Sequence, residues 1–459
     1  MKTKHLFILY LFVLPILSIS CENAIQVDVP NNQIGTDDIY KDISTTKAAL
    51  ATLYSNFRDA SIFTGQSTGL GTVMSMYTDE LTSFSEINSS LGTFDIFNNS
   101  IRANNPTINS LWNSSYKNIY AINSFIQGVT LSKHLNINDK DPLIAKALLL
   151  RSIYYQNLVQ LFGDIPYTTT TDYQSNIIIK KTPYLQVLSL IELDLKHSLT
   201  ILSDTFEKQN RIYPNKAAAE LLLAQNYLLQ HKYDLAQNLS SLVTSNPLFA
   251  LETDITKVFK NNAKSTIWQL IPSNSGLSTW EARTYYFNIT PPTNHALSQD
   301  LIKSFSINDL RLKHWVREVS GNNKTFYHSY KYKNISNNTD EYSIVFRVEQ
   351  AYFVLIESLI YQDNTVEAIK YLNLLKKRAN ISLLPNTLTK EECIKEMLIE
   401  SQKEFFTEQG HRFFDLKRNN QLHILNKVKP NWKTNHRLLP YPEKEISLNN
   451  NLLPQNDGY

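Results

Sequence analysis

Residues 400–418 read Glu-Ser-Gln-Lys-Glu-Phe-Phe-Thr-Glu-Gln-Gly-His-Arg-Phe-Phe-Asp-Leu-Lys-Arg, and the rest of the chain is placed relative to them. Glu400, Glu404, Glu408 and Arg412 recur at a four-residue step, which on a helix puts them in one column a turn apart. Ile399, Phe406 and Phe413 fall on another face at seven-residue intervals. Carboxylates closed by an arginine and backed by an apolar stripe describe a helix buried on one side and charge-paired on the other. The spacing predicts one helix from Lys390 through Arg418.

Lys2 and Lys4 precede an apolar run from Leu6 to Ile19, with Ser20 and Cys21 directly after it. That run of about fourteen residues is shorter than the roughly twenty that span a bilayer, so it reads as a secretory signal over residues 1–20. Cys21 sits where cleavage falls and reads as the acylated first residue of the mature chain, although Ser18 replaces the leucine a strict lipobox prefers. Two or three acyl chains would anchor the protein stably. The only other cysteine is Cys393, so no disulfide remains once Cys21 is lipidated. Net charge is +3, and +1 without Lys2 and Lys4, which leaves no footprint for nucleic acid. Only 11 glycines argue against an all-β fold built on tight turns.

Residues 21–40 are polar and proline-bearing and read as a tether. Helical patterning follows over Asp42–Ala60, then Ile108–Gly128, then from Asp141 and Pro142 to Gly163, and from Pro183 through Leu202. Lys216–Gln230 with Tyr233–Ser245 forms a helical hairpin, and a shift of 132 residues pairs Ala219 with Ala351, Leu223 with Leu355, Gln230 with Gln362 and Ala236 with Ala368. Two helices, a short turn and a small residue early in the second helix is the tetratricopeptide pattern, whose units bury their faces only by stacking. The predicted fold class is mostly α: tetratricopeptide-like hairpins over 41–60, 108–247 and 345–418 within a single domain, 41–459. A loop-rich insertion at 249–343 alternates short β-like stretches such as Thr266–Ile271 with turns and one short helix, Leu297–Phe305. Residues 65–105, rich in Ser, Asn, Thr and Phe, read as loop with short pieces of structure.

Several of these stretches resemble one family. Gly410-His411-Arg412-Phe413-Phe414-Asp415-Leu416 with Arg418 is similar to the carboxy-terminal signature of the SusD/RagB family, the surface nutrient-binding lipoproteins of Bacteroidota. Arg151–Pro166 resembles its helix ending in Gly-Asp-x-Pro, with Ser152 in place of the usual alanine. Asp309–Arg311 resembles its Asp-x-Arg, and Leu438–Pro442, Glu445, and Gln455-Asn456 with Gly458-Tyr459 resemble its ending. Ile356-Glu357-Ser358 and Ser401 depart from the commonest residues. The resemblance implies a SusD-like α-α superhelix and a lipid-anchored protein on the outer face of the outer membrane. It would bind an oligosaccharide, or in some members a peptide, and work with a SusC-like TonB-dependent transporter, without a cofactor.

The residues themselves offer no catalytic apparatus. Glu404 with Glu408, or either with Asp415, could be a glycosidase acid and base, but a column of acids ending in arginine is read as a structural charge network. No His-Glu-x-x-His pair, Gly-rich phosphate loop or Gly-x-Ser-x-Gly elbow is present. Aromatics are the better clue, since sugar C–H faces stack on flat rings while hydroxyls need amide, carboxylate or guanidinium partners. Trp280, Glu281, Arg283, Tyr285, Tyr286, Phe287 and Asn288 supply that mixture, and Tyr77, Asp79, Phe84, Asn88, Phe94 and Phe97 form a second such cluster. Trp112, Tyr154, Tyr227 and Tyr371 read as core. The alternatives from other classes are a secreted helical glycoside hydrolase and a tetratricopeptide scaffold that binds only proteins.

Overall fold

The computed structural model describes residues 36–84 and 90–459. The secretory segment, Cys21, most of the expected tether and Asn88 lie outside the described residues. The scaffold runs through α1 (Ile43–Asp59), α2 (Pro106–Leu131), α3 (Ile137–Phe162), α4 (Tyr184–Ile201), α5 (Lys216–Leu229), α6 (Tyr233–Ser245), α7 (Val348–Tyr361), α8 (Thr365–Arg378), α9 (Lys390–Phe405) and α10 (His411–Arg418). Each helix from α1 to α9 packs on the next, so the stack is continuous in chain order. Asp42 caps α1 by accepting from the Ser44 and Thr45 N–H groups, and Asn105 caps α2, with Pro106 at its first position. α3 opens at Ile137, earlier than the expected Pro142. Asn136 caps it by accepting from Asp139 N–H, and a proline so near the start costs only one backbone bond.

The 132-residue shift carries the bounds of α5 onto those of α7 and the start of α6 onto that of α8. His231 and Asp363, the same shift apart, take matching left-handed φ of 57° and 60° in the two hairpin turns. Ala236 and Ala368 are both fully buried where the helix pairs approach. The insertion separates these hairpins in sequence but not in space: α6 packs on α7, Gln362 Nε2 donates to Gln237 Oε1 at 2.7 Å, and Tyr233 stacks on Tyr361 at 4.7 Å.

The helix expected over Lys390–Arg418 is two helices. Thr407, Gln409 and Gly410 take φ of 61°, 47° and 76° and swing the chain from α9 into α10. Gly410 has no room for a side chain, since a Cβ would stand 2.9 Å from Met74 Cγ. The charged column is therefore split, and it faces the core: Glu400 and Glu404 are fully buried. Arg412 does not close it, but forks onto Asp79 at 2.9 and 2.7 Å.

Cations from three other segments meet the carboxylates. Arg311 Nη2 donates to Glu400 at 2.7 Å, and Arg347 Nη1 and Arg378 Nη2 each reach a Glu404 oxygen at 2.6 Å. Lys331 Nζ and Arg347 Nη2 donate to Glu408 at 2.6 and 3.0 Å. Burial opposes ionisation of Glu400, but Arg311, Lys403 and Lys376 outweigh it and hold the carboxyl down at about 2. Against the same burial, Arg378, Arg347 and Arg311 lower Glu404, and Arg347 and Lys331 lower Glu408.

Arg311 and Lys331 belong to the insertion, so this network fastens it to the scaffold. Its ends also meet as a ladder, Thr266–Leu270 running antiparallel to Ser343–Arg347. Trp268 on that ladder is fully buried, stacked at 5.6 Å on Phe57 of α1. A second pair, Val316–Gly321 with Lys324–Ser329, is a hairpin turned by Asn322-Asn323 at φ of 55° and 58°, the left-handed pair that a type I′ turn demands. Leu81–Ser83 pairs with His295–Leu297 and ties the 65–105 stretch to the insertion. One of the short pieces of structure expected there is a helix, Leu70–Tyr77, in which all but Gly71 are buried.

Candidate aromatic binding surface

The insertion hairpin organises the site. Phe326 and His328 are two residues apart on one strand and so share a face. Phe84, held where its N–H donates to Asn294 O at 2.7 Å, meets Phe326 edge to face at 5.5 Å. Tyr286 and Phe287 meet His328 edge-on at 5.5 and 5.1 Å. Past the strand, Tyr330 lies 5.9 Å from His328, with the Arg317 guanidinium 5.4 Å and the Lys333 ammonium 5.1 Å from its ring. Burial, with a smaller push from Arg317, lowers the His328 pKa, so the imidazole is neutral near pH 7 and the rings surround an uncharged centre flanked by cations. Tyr286 is 38% exposed and Asn288 is exposed beside it. This arrangement offers flat apolar faces with amide and guanidinium donors at the rim.

The structure thus sets Phe84 of one expected cluster and Tyr286 and Phe287 of the other on one face of the same hairpin strand, through Phe326 and His328. Tyr77 is no part of it: fully buried, it donates its hydroxyl to His436 O at 3.0 Å and packs on Phe413 and Trp432. Asp79 is occupied by Arg412 and by Gln402 Nε2 at 3.1 Å. Tyr285 points inward, sharing its hydroxyl with Thr72 at 3.0 Å and donating to Thr407 O at 3.2 Å. Trp280 is half-buried, donates Nε1 to Asp59 Oδ1 at 2.9 Å and is covered on one face by Arg283 at 4.1 Å, so this pair fastens the insertion to the end of α1. Phe326, His328 and Tyr330 were not singled out from the sequence. The turn signal Gly321-Asn322-Asn323 followed by alternating aromatics was there to find them.

Glu404 and Glu408 cannot serve as an acid and base pair. A general acid in a glycosidase needs a raised pKa and contact with substrate, whereas these carboxylates are lowered and bound to buried arginines. Among the described residues no group of three or more His, Cys, Asp and Glu could hold a metal ion, and no helix is long and apolar enough to cross a membrane.

A family model described as "Starch-binding associating with outer membrane" matches residues 46–228, and the model described as "SusD family" matches residues 316–459. The chain belongs to the SusD/RagB family. SusD-like protein P2 of Formosa agariphila is 25% identical over 421 residues, covering 77% of this chain and 81% of its own. A SusD superfamily protein of Bacteroides vulgatus superposes with a TM-score of 0.79 at 19% identity, covering 92% of this chain and 100% of that one. Surface glycan-binding protein A of Bacteroides thetaiotaomicron, solved in complex with laminarihexaose, gives 0.75 at 17% identity, covering 90% and 99%. The shared fold is that of the SusD superfamily and is mostly helical, with no barrel among the described residues.

In this SusD-like fold the terminal motif docks on the motif ending α3. The last carbonyls of a helix lack partners of their own, and here Gln160 O accepts from Lys417 Nζ, Leu161 O from Leu439 N–H at 2.8 Å and Phe162 O from Asn456 Nδ2 at 2.8 Å. Tyr441 donates its hydroxyl to Asp164 O at 2.7 Å. Arg151 opens the α3 motif by joining three helices, with Nη1 to Asn123 at 2.9 Å and a fork onto Asp194 at 3.0 and 2.9 Å.

Proposed function

We propose that the protein is a cell-surface receptor of the outer membrane, anchored through acyl chains on Cys21, that captures an oligosaccharide and hands it to a SusC-like TonB-dependent transporter. The observation that carries this reading is the aromatic face of the insertion hairpin, where Phe84 meets Phe326 and, two residues on, Tyr286 and Phe287 meet His328, with Asn288 and Arg317 exposed and Lys333 half-buried beside them. The family description, which names starch binding and the outer membrane, and the laminarihexaose complex of a structural neighbour support a glycan as the ligand. Capture requires no bond to be made or broken by the protein.

A glycan array that includes laminarihexaose tests the reading with the wild type and Tyr286→Ala. Tyr286 is the most exposed of these rings, so the variant keeps its fold while the retained neutral glycans bind about tenfold more weakly, the worth of one stacking contact. An array without a bound neutral glycan, or one whose neutral glycans ignore Tyr286, would refute the surface as a glycan site. Capture of peptides in place of glycans would favour the RagB-like reading. Cys21→Ser should release the protein from the membrane fraction, and protection of the wild type from protease added to intact cells would contradict surface display.

A further inference from the structure

Away from the aromatic surface, a cleft of about 900 Å³ opens between the end of α3, the start of α4, α10 and the terminal segment. Its size is that of a site for a small ligand. Four cations line it, and their neighbours differ. Arg418 is committed to Glu357 at 2.6 Å and Asp415 at 2.8 Å. Lys181 donates to Pro454 O at 2.7 Å, lies 4.6 Å from the Tyr441 ring and feels Asp164. Lys417 and Arg437 have no carboxylate partner among the described residues, and Arg437 is exposed. Burial, helped by the Arg437 charge, pushes the Lys417 ammonium down to about 7, and no acid counters that push. Of the two lining acids, Asp164 Oδ1 accepts from Tyr184 N–H at 2.8 Å, and Asp457 is exposed. Asn420 and Asn435 also line the cleft with side-chain amides that have no hydrogen-bond partner among the described residues.

We propose that this cleft binds the acidic group of a charged oligosaccharide, a carboxylate or a sulfate ester, between Lys417 and Arg437, with Asn420 and Asn435 taking neighbouring hydroxyls. Two cations without counter-ions are what an anion needs, since a charge-assisted hydrogen bond is about twice as strong as a neutral one. Free amides beside them suit a sugar better than a bare ion. The inference rests on the glycan-receptor reading but concerns a different place on the molecule, so the two can fail separately.

Calorimetric titration decides it, with tetragalacturonate and a sulfated galactan tetrasaccharide as acidic probes and laminarihexaose as the neutral one. At least one acidic probe should bind, about tenfold more weakly to Arg437→Gln and to Lys417→Met, and unchanged to Tyr286→Ala. Which probe binds tells carboxylate from sulfate. Added salt should weaken that binding, because the pair is partly exposed. Lys417 also caps α3, so Arg437→Gln, at an exposed position, is the arm that stands if Lys417→Met does not fold. Failure of both acidic probes, or equal binding by Arg437→Gln and wild type, overturns the cleft. A Tyr286-dependent loss confined to laminarihexaose separates the aromatic surface from it.

Discussion

Glu404 holds two guanidiniums that arrive from different parts of the chain, Arg347 and Arg378, both at 2.6 Å and both buried. A buried ion pair gains little over an apolar replacement, but removing one partner strands the others. Glu404→Ala is therefore expected to cost about 3–5 kcal/mol, measured by urea denaturation. A loss under about 1 kcal/mol, the scale of an exposed pair, would mean that water reaches the site. The same carboxylates set an acid limit. Their folded pKa values lie below the unfolded value near 4.3, so their contribution is complete above about pH 4.3 and is lost as pH falls through those lowered values, about 2 for Glu400. Glu80 runs the other way: burial raises it to about 7, so the stability it lends at low pH is lost as pH rises through that value. Denaturation midpoints across pH 2–8 should fall steeply on the acid side, where three carboxylates titrate, and less steeply toward neutrality, where Glu80 does, and a flat acid limb would contradict the buried network. Trp280 shows where residue-level reading ends. Composition marked it as a ligand ring, but its bond to Asp59 and its cover by Arg283 make it a fastening, and Trp280→Ala should lose about 2 kcal/mol in thermal or urea unfolding. Unchanged stability would return it to the pool of ligand contacts. Tyr77 and Tyr285 misled for the same reason: Ser, Thr and Asn around them look like loop, and only the tertiary packing shows that their segments are buried.

At the scale of the element, periodicity located the long helices and composition located the insertion, because both signals are local. It could not locate the break between α9 and α10. The four-residue step continues through the turn by coincidence of spacing, and the sequence marks the break only by Gly410. The hairpin turns of α5–α6 and α7–α8 were readable because the repeat copies them, whereas the left-handed position shared by His231 and Asp363 shows only in the backbone. Gly410→Ala is expected to cost about 1–3 kcal/mol, since alanine resists φ of 76° and its Cβ would press on Met74. Gly276, also at positive φ but with nothing near its missing Cβ, is the control. If Gly276→Ala costs as much in urea denaturation, the effect is backbone strain alone and the close approach to Met74 contributes nothing.

Over the whole molecule, a stack of helical hairpins would ordinarily draw its stability from neighbour contacts and tolerate loss of an inserted loop region. This molecule is built otherwise. Arg311 and Lys331 of the insertion neutralise Glu400 and Glu408 on and after α9, Trp268 fills the space beside Phe57 of α1, and the strand Thr266–Leu270 packs against α5. The order of the two halves could be read from motifs in the chain. Their interdependence could not, because each of these partners is far away in sequence and charge carries no signature of its mate. Replacing residues 249–343 with a flexible linker should therefore leave buried carboxylates without counter-charges and an open apolar flank. The shortened protein is expected to retain helical circular dichroism, to lose its cooperative urea transition and to bind a hydrophobic dye, the marks of a state with secondary structure but without fixed packing. A single sharp transition near that of the full chain would instead show that the helical stack stands by itself, and that the buried arginines of the insertion hold the loops to the scaffold without supporting it.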